Sequence, residues 1–392
     1  MTLTRNPELS HLAEADILAA AAAGRGEAVA VVHEEVALDP RRLRRAKKAY
    51  TVRAFAKVTR EEGTEGYHLV RGAAVAPNPG DLVLARIVEI GHHKRLEAHN
   101  SRRRHLFVGD EIVVAYGHRY APDQFLAEVP PNLDVTNLVA AGGLAGRVIE
   151  QHADTDIATQ IEPIGLIADA EGVVNLRRHS PAAVRSWQQA LEEIQALPQR
   201  PRMVVVFGSS MNSGKTTSAG CLVNGLGNAG LDVAAGKATG TGAGNDAGLF
   251  RDAGASTVLD FTDFGLASTF QLTLPEVKDT VFSVFAELAQ TGAEVVVVEI
   301  ADGIYQGETA HLVQDDDFRE LVDAVVFACG EALSAAAGSA LLEQANLPLR
   351  AITGRLTSSP LITREAQAVT TAPVIGTFDL CVPEVARSVI GL

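Results

Sequence analysis

The sequence predicts an α/β protein: a mainly β N-terminal half, then a mostly parallel sheet with helices on both faces. Three observations carry this. From about residue 200 onward, short apolar runs alternate with helical stretches, the rhythm of strand–helix crossovers. Before that point, short β-branched runs lie between Gly and Pro turns, as in a small barrel or sandwich. Between the predicted strand Met203–Phe207 and the predicted helix Lys215–Asn228 lies a loop rich in glycine and serine.

The chain has 392 residues, enough for two domains with separate cores. The prolines Pro198 and Pro201 flank a polar connector, which sets the expected division at 1–199 and 200–392. The net charge of −14 is uneven: residues 1–130 hold 19 Lys and Arg against 17 Asp and Glu, the remainder 15 against 31. An acidic bulk disfavours non-specific nucleic-acid binding, leaving only local basic patches. Cys221, Cys329 and Cys381 are far apart, a spacing that fits neither a zinc site nor a disulfide framework. The opening residues lack a basic start followed by an apolar run, and no stretch approaches 20 apolar residues. The expectation is a cytoplasmic protein with no membrane segment.

In the N-terminal half, Leu9, Leu12, Ile17 and Leu18 among alanines predict a helix over residues 1–25 ended by Gly24. Thr51–Val58 and Tyr67–Val70 read as short alternating segments, and Pro77–Gly80 as a turn. Leu82–Ile90 and Glu111–Tyr116 read as strands, and Ser180–Leu197 as a helix capped by Ser180 with Pro181 next. In the C-terminal half, further strands are expected at Leu231–Ala235, Thr257–Phe261, Glu294–Ile300, Ala324–Ala328, Leu349–Ile352 and Pro373–Ile375. Such sheets bind ligands at the carboxyl ends of their strands.

The segment from Gly208 through Ser209, Asn212, Ser213, Gly214, Lys215, Thr216 and Thr217 runs from strand to helix. That is the context a phosphate-binding loop requires. Its backbone N–H groups converge on phosphate oxygens, and the helix N-terminus adds its positive dipole end. Lys215 would place a point charge on the β- and γ-phosphates, and the Thr216 hydroxyl would bind Mg²⁺. The usual pattern has glycine five residues before Gly214; here Ser209 stands there and the glycine is Gly208.

Gly208–Thr217 resembles the loop of dethiobiotin synthetase and its P-loop relatives. Gly236-Lys237-Ala238-Thr239-Gly240 is similar to a segment of an uncharacterised P-loop family, some members of which are assigned as amino-acid N-acyltransferases. The resemblance covers roughly residues 203–380 and not the N-terminal half. It implies ATP and Mg²⁺ as cofactors and phosphoryl transfer or activation of a small molecule. It also implies that Glu299 holds the metal, that Lys237 contacts the transferred group or the substrate acid, and that the protein pairs as a homo-oligomer.

Glu299 closes a strand of four valines and is followed by Asp302 and Gly303. A carboxylate at such a strand tip holds a metal directly or through water. Asp302 is a candidate catalytic carboxylate with Lys215 and Lys237, and Asp260, after Val258-Leu259, is a second metal candidate. Asp246 reads equally as a first-turn helix residue, and Arg355 as a base-stacking or surface residue. Guanine selection uses Asn/Thr-Lys-x-Asp near a late strand; none occurs, which favours ATP. The basic clusters Arg41–Lys48, His92–Arg95 and Arg102–His105 read as solvated surface, with few aromatics for nucleic-acid stacking. Arg119–Gln124, after a strand, is placed to face a substrate across the domain interface. The expected function is ATP·Mg-dependent phosphorylation or activation of a small acidic or hydroxylated metabolite. The alternatives are a nucleotide-driven switch with a macromolecular partner, or an acyltransferase using the loop for a phosphate-bearing carrier.

Overall fold

The computed structural model describes residues 33–392; the predicted N-terminal helix lies outside the described residues. Five strands of the N-terminal half close into a ring: β1 (Leu82–Glu89), β2 (Glu111–Tyr116), β3 (Thr136–Ala140), β4 (Leu144–Gln151) and β5 (Thr159–Asp169). β5 pairs with β1, β1 with β2, β2 with β4, β4 with β3, and β3 returns to β5. Only the β2–β4 pair is parallel among these. Closure removes the open edges that short strands would otherwise expose. Leu84, Val113, Leu138, Ala145 and Ile161 fill its core.

Two expected elements of this half differ. Thr51–Val58 is not a strand: helix α1 (Arg53–Glu61) occupies it and buries Phe55, Ala56 and Thr59. Positions i, i+1 and i+4 share a helical face, so the burial follows a period that the short alternation concealed. The expected helix over Ser180–Leu197 is shorter, α2 (Trp187–Gln195), and Ser186 caps it by accepting from the Gln189 N–H. The chain before it is held extended, with Arg185 N–H donating to Ser283 Oγ at 2.8 Å. α2 buries Ala190 and Ile194 in the core of the parallel sheet. We therefore place the boundary between the two units ahead of Ser186.

The second sheet contains β6 (Arg202–Gly208), β7 (Val233–Lys237), β8 (Thr257–Asp260), β9 (Val295–Glu299), β10 (Ala324–Ala328) and β11 (Leu349–Thr353). Its order is β8-β7-β9-β6-β10-β11, parallel throughout. The expected strand at Pro373–Ile375 is reduced to a single bridge, Ile352 to Val374. Alternation sends successive residues of β6 to opposite faces: Met203, Val205 and Phe207 join one core, Val204 and Val206 the other. Helices α3 (Lys215–Asn228) and α5 (Leu274–Ala289) cover these two faces, with α4 (Gly244–Asp252) between them in sequence. Thr273 and Glu276 form a reciprocal cap that starts α5. The crossover from β6 to β7 and the one from β9 to β10 run in opposite directions along the sheet, so the carboxyl ends of the neighbours β6 and β9 flank a topological switch point.

The ring packs against that end of the sheet. Tyr50 Oη donates to Asp260 Oδ2 at 2.6 Å, and Arg53 pairs with Asp260 at 3.4 Å and Asp263 at 2.5 Å. Backbone meets backbone at Gly142, where a Cβ would lie 1.9 Å from Gly242 O. Arg53 is the cation that lets two buried carboxylates share one seam. Arg53→Ala should lower stability by about 3–5 kcal/mol, the cost of leaving buried charge uncompensated; urea unfolding of the full chain measures it.

Candidate functional site

Strand β6 delivers the chain to Gly208, and α3 takes it up again at Lys215. Between them the backbone turns through left-handed conformations at Asn212 (φ 60°) and Gly214 (φ 103°), which asparagine and glycine tolerate best. The lysine does not leave the loop: Lys215 Nζ donates to Ser210 O at 2.8 Å, and the residue is only 6% exposed. The amides of Lys215, Thr216 and Thr217 lie in the first turn of α3, where no intrahelical carbonyl reaches them. They and the lysine line a concavity with the donors and charge that an anion requires.

The displaced glycine has a physical reason. A Cβ at position 208 would lie 2.6 Å from Lys215 Cγ, 2.8 Å from its Cδ and 2.3 Å from Ser213 Oγ. The lysine stem lies over the spot where a side chain at 208 would project, so glycine is required there and Ser209 is tolerated. Gly303 plays a matching part behind the loop, where a Cβ would lie 2.5 Å from Ser209 O.

Beside the loop is a cleft of about 860 Å³. Asn212, Gly214, Lys215, Thr216 and Thr217 line it; Ser209 and Ser213 face a neighbouring depression, and Gly208 is buried behind both. Glu299 ends β9 in register with Val206 of β6 and Lys237 of β7, so three strand tips set these groups side by side. Glu299 is 2% exposed, and its Oε2 lacks a hydrogen-bond partner among the described residues. Burial pushes its pKa up, against the pull of Lys237. Lys237 Nζ lies 3.5 Å from Glu299 Oε1 and pairs with Asp246. Burial disfavours its charge, but those two carboxylates outweigh burial and raise its pKa. Asp246 is thus both a first-turn residue of α4 and part of the site. Asp302 also lines the cleft; burial raises its pKa, and Lys215, Lys237 and Arg119 pull it back.

Asp260 is corrected as a metal candidate. It is absent from the cleft lining, and its oxygens are taken by Tyr50, Arg53 and the Thr262 N–H. A strand tip faces the crevice, but this carboxylate serves the interdomain seam instead. Arg355 is exposed at the rim of the cleft, its N–H donating to Ser213 O at 3.0 Å.

The opposite wall comes from loops and short strands of the N-terminal half, outside the five ring strands: His93, Glu97, Arg103, Arg119, Tyr120 and Gln124. Arg119–Gln124 was expected to face this interface. Asp123 Oδ2 accepts from Asn212 Nδ2 at 2.6 Å, joining that turn to the phosphate loop. His93 is not surface as expected. It is 8% exposed, and burial followed by the Arg119 charge pushes its pKa down to about 3, so its imidazole stays neutral. Glu97 carries no sequence signal, yet its Oε2 accepts the Gly244 N–H at 2.9 Å at the start of α4.

No family model matches the chain. No curated protein matches it either. Solved structures similar to part of it include the 54 kDa signal recognition particle protein from Aeropyrum pernix K1 in complex with GDP. Identity there is 19% and the TM-score 0.33, over 52% of this chain and 51% of that one. The signal recognition particle receptor FtsY from Elizabethkingia anophelis in complex with GDP gives 17%, 0.29, 53% and 71% in the same order. The hydrogenase maturation factor HypB from Archaeoglobus fulgidus gives 11%, 0.31, 48% and 86%. The match thus spans about half the length of the first of these. The parallel sheet and its strand–loop–helix segment stand on the chain's own geometry. Among the described residues, no helix is long and apolar enough to cross a membrane.

Gly208→Ala should force the lysine stem off its track and weaken nucleotide binding at least tenfold, about 1.4 kcal/mol. Ser209→Gly, which restores the usual pattern, should leave affinity within about twofold, a small fraction of a tenfold step. Calorimetric titration of both variants checks the pair.

Proposed function

We propose that the protein transfers a phosphoryl group from ATP to a small acidic or hydroxylated acceptor, or uses ATP to activate it. The observation that supports this most is the cleft itself. The phosphate loop, Glu299 and Asp302 open onto one cavity whose far wall is another domain, with room for a second reactant beside a nucleotide. Lys215 and the loop amides would hold the β- and γ-phosphates. Thr216 and the unpartnered Glu299 Oε2 offer hard oxygen donors of the kind Mg²⁺ takes. Bound there, the metal would supply charge neutralisation between the phosphates.

The chain's own part is positioning and charge. Lys237, kept charged by Asp246 and Glu299, stands ready to stabilise the moving group. An acceptor oxygen would form a bond to the γ-phosphorus while the bond to the β–γ bridging oxygen breaks. That oxygen leaves with the electron pair, on ADP. Asp302 would take the acceptor proton; its raised pKa makes it a better base than an ordinary carboxylate. ATP is proposed over GTP because the residues after β10 and β11, Cys329-Gly330-Glu331 and Thr353-Gly354-Arg355, do not carry the guanine-selecting Asn/Thr-Lys-x-Asp.

A second reading, a nucleotide-driven switch, draws on the Asn212–Asp123 hydrogen bond. It gives the N-terminal half a direct contact with the loop that senses phosphate. Turnover separates the two readings: dependence on a small metabolite supports transfer, dependence on a macromolecule supports the switch.

ATP with Mg²⁺ at a hundredfold excess over Kd should stabilise the parent by about 2.7 kcal/mol. Lys215→Ala should abolish that gain, and Glu299→Gln should abolish its dependence on Mg²⁺. Thermal unfolding with and without chelator reads both; equal stabilisation of parent and Lys215→Ala contradicts the proposal.

A further inference from the structure

Arg119 is the one arginine buried below a tenth of its surface among the described residues, at 5% exposure. Other largely buried arginines have carboxylates: Arg53 has Asp260 and Asp263, Arg185 has Glu193 and Glu287. Arg119 has no carboxylate within 4 Å among the described residues. Its Nη2 donates to Gln124 Oε1 at 2.7 Å, its Nη1 lies 3.3 Å from His93 Nε2, and its Nε has no partner. Both neighbours are neutral, because the His93 imidazole is held unprotonated. The guanidinium is thus held by the neutral Gln124, since His93 Nε2 donates to Val139 O, and the carboxylate that acts on its charge, Asp302, does not pair with it within 4 Å.

Burying an uncompensated charge costs several kcal/mol, and the direction in which this one opens is the cleft. A guanidinium is built to grip carboxylate or phosphate oxygens through two parallel N–H groups. The oxyanion it would meet is distinct from the one at the phosphate loop. Asp302 feels the charges of both Lys215, at the start of α3, and Arg119, in the N-terminal half. Asp302 therefore stands between two separate cationic poles, one on each wall. Arg103, also in the lining, adds an exposed positive charge at the mouth.

We infer that Arg119 anchors an oxyanion of the acceptor, a carboxylate or phosphate group, on the N-terminal wall of the cleft opposite the phosphate loop. The inference rests on the phosphoryl-transfer reading and narrows its substrate class: the acceptor carries a negative group remote from its reacting atom. With that group on Arg119, the reacting atom is directed to the space beside Asp302. A carboxylate and a phosphate satisfy the same fork, so separate probes distinguish them.

The test loads the full chain with Mg²⁺ and a non-hydrolysable ATP analogue, then titrates inorganic phosphate and, separately, succinate by calorimetry. The parent should bind one of these anions saturably. Arg119→Gln should weaken that anion at least tenfold while holding the ATP analogue within about twofold, the scale of one charge-assisted contact. Arg119→Lys, which keeps the charge and loses the fork, should fall between them, and it serves if Arg119→Gln does not fold. Absence of saturable binding in the loaded parent overturns the inference, as does equal anion binding in parent and variants. A tenfold loss of the ATP analogue in the variants also overturns it, because Arg119 then serves the nucleotide's own phosphates. If the parent takes no ATP analogue but binds an anion through Arg119, the subsite stands and the phosphoryl-transfer reading fails.

Discussion

Gly208 has no side chain, and the stem of Lys215 lies where one would be. That single steric allowance fixes where the ammonium can go. It lets the loop close over its own lysine, with Nζ resting on Ser210 O. It also lets β6 run to its tip before the chain turns, so the free amides at the start of α3 face the same space as the tips of β7 and β9. A carbonyl oxygen is a weak partner for a buried ammonium. Exchange of that carbonyl for an anion is the favourable event that the loop is shaped to allow.

Charge in the cleft is only partly matched among the described residues, where Arg119 has no carboxylate within 4 Å. Lys237 is held by Asp246 and Glu299, yet Glu299 keeps one oxygen without a partner. Asp302 lies within the influence of three cations. Glu299 and Lys215 are themselves buried at the base of the cleft. The two domains meet at the seam, where Gly142 and Gly242 bring backbones together and Arg53 pairs with Asp260 and Asp263. The N-terminal half is part of the cleft's wall, and the Asp123–Asn212 contact ties it to the loop.

Much of this was legible in the sequence wherever the determinant is local. A strand, a glycine turn and a helix are contiguous, so the phosphate loop and the parallel sheet could be read directly. Glu299 could be read because it ends a four-valine strand whose tip must face the crevice. Asp260 obeys the same rule and was misread, because its partners Tyr50 and Arg53 lie some two hundred residues earlier. His93 and Glu97 reach the cleft from loops and short strands outside the ring, whose placement no periodicity announces. Thr51–Val58 was misread because eight residues of alternation are too few to separate a strand from a helix whose buried face is Phe55, Ala56 and Thr59. The division of the chain was drawn at the prolines, although α2 ahead of them buries its apolar face in the second core.

The account stands or falls on where a triphosphate seats. A crystal structure of the full chain with Mg²⁺ and a non-hydrolysable ATP analogue tests this directly. The account predicts phosphate oxygens against the amides of Lys215, Thr216 and Thr217, with Lys215 Nζ moved from Ser210 O to the phosphates. A nucleotide bound elsewhere, or a loop unchanged with the lysine still on Ser210 O, would contradict it.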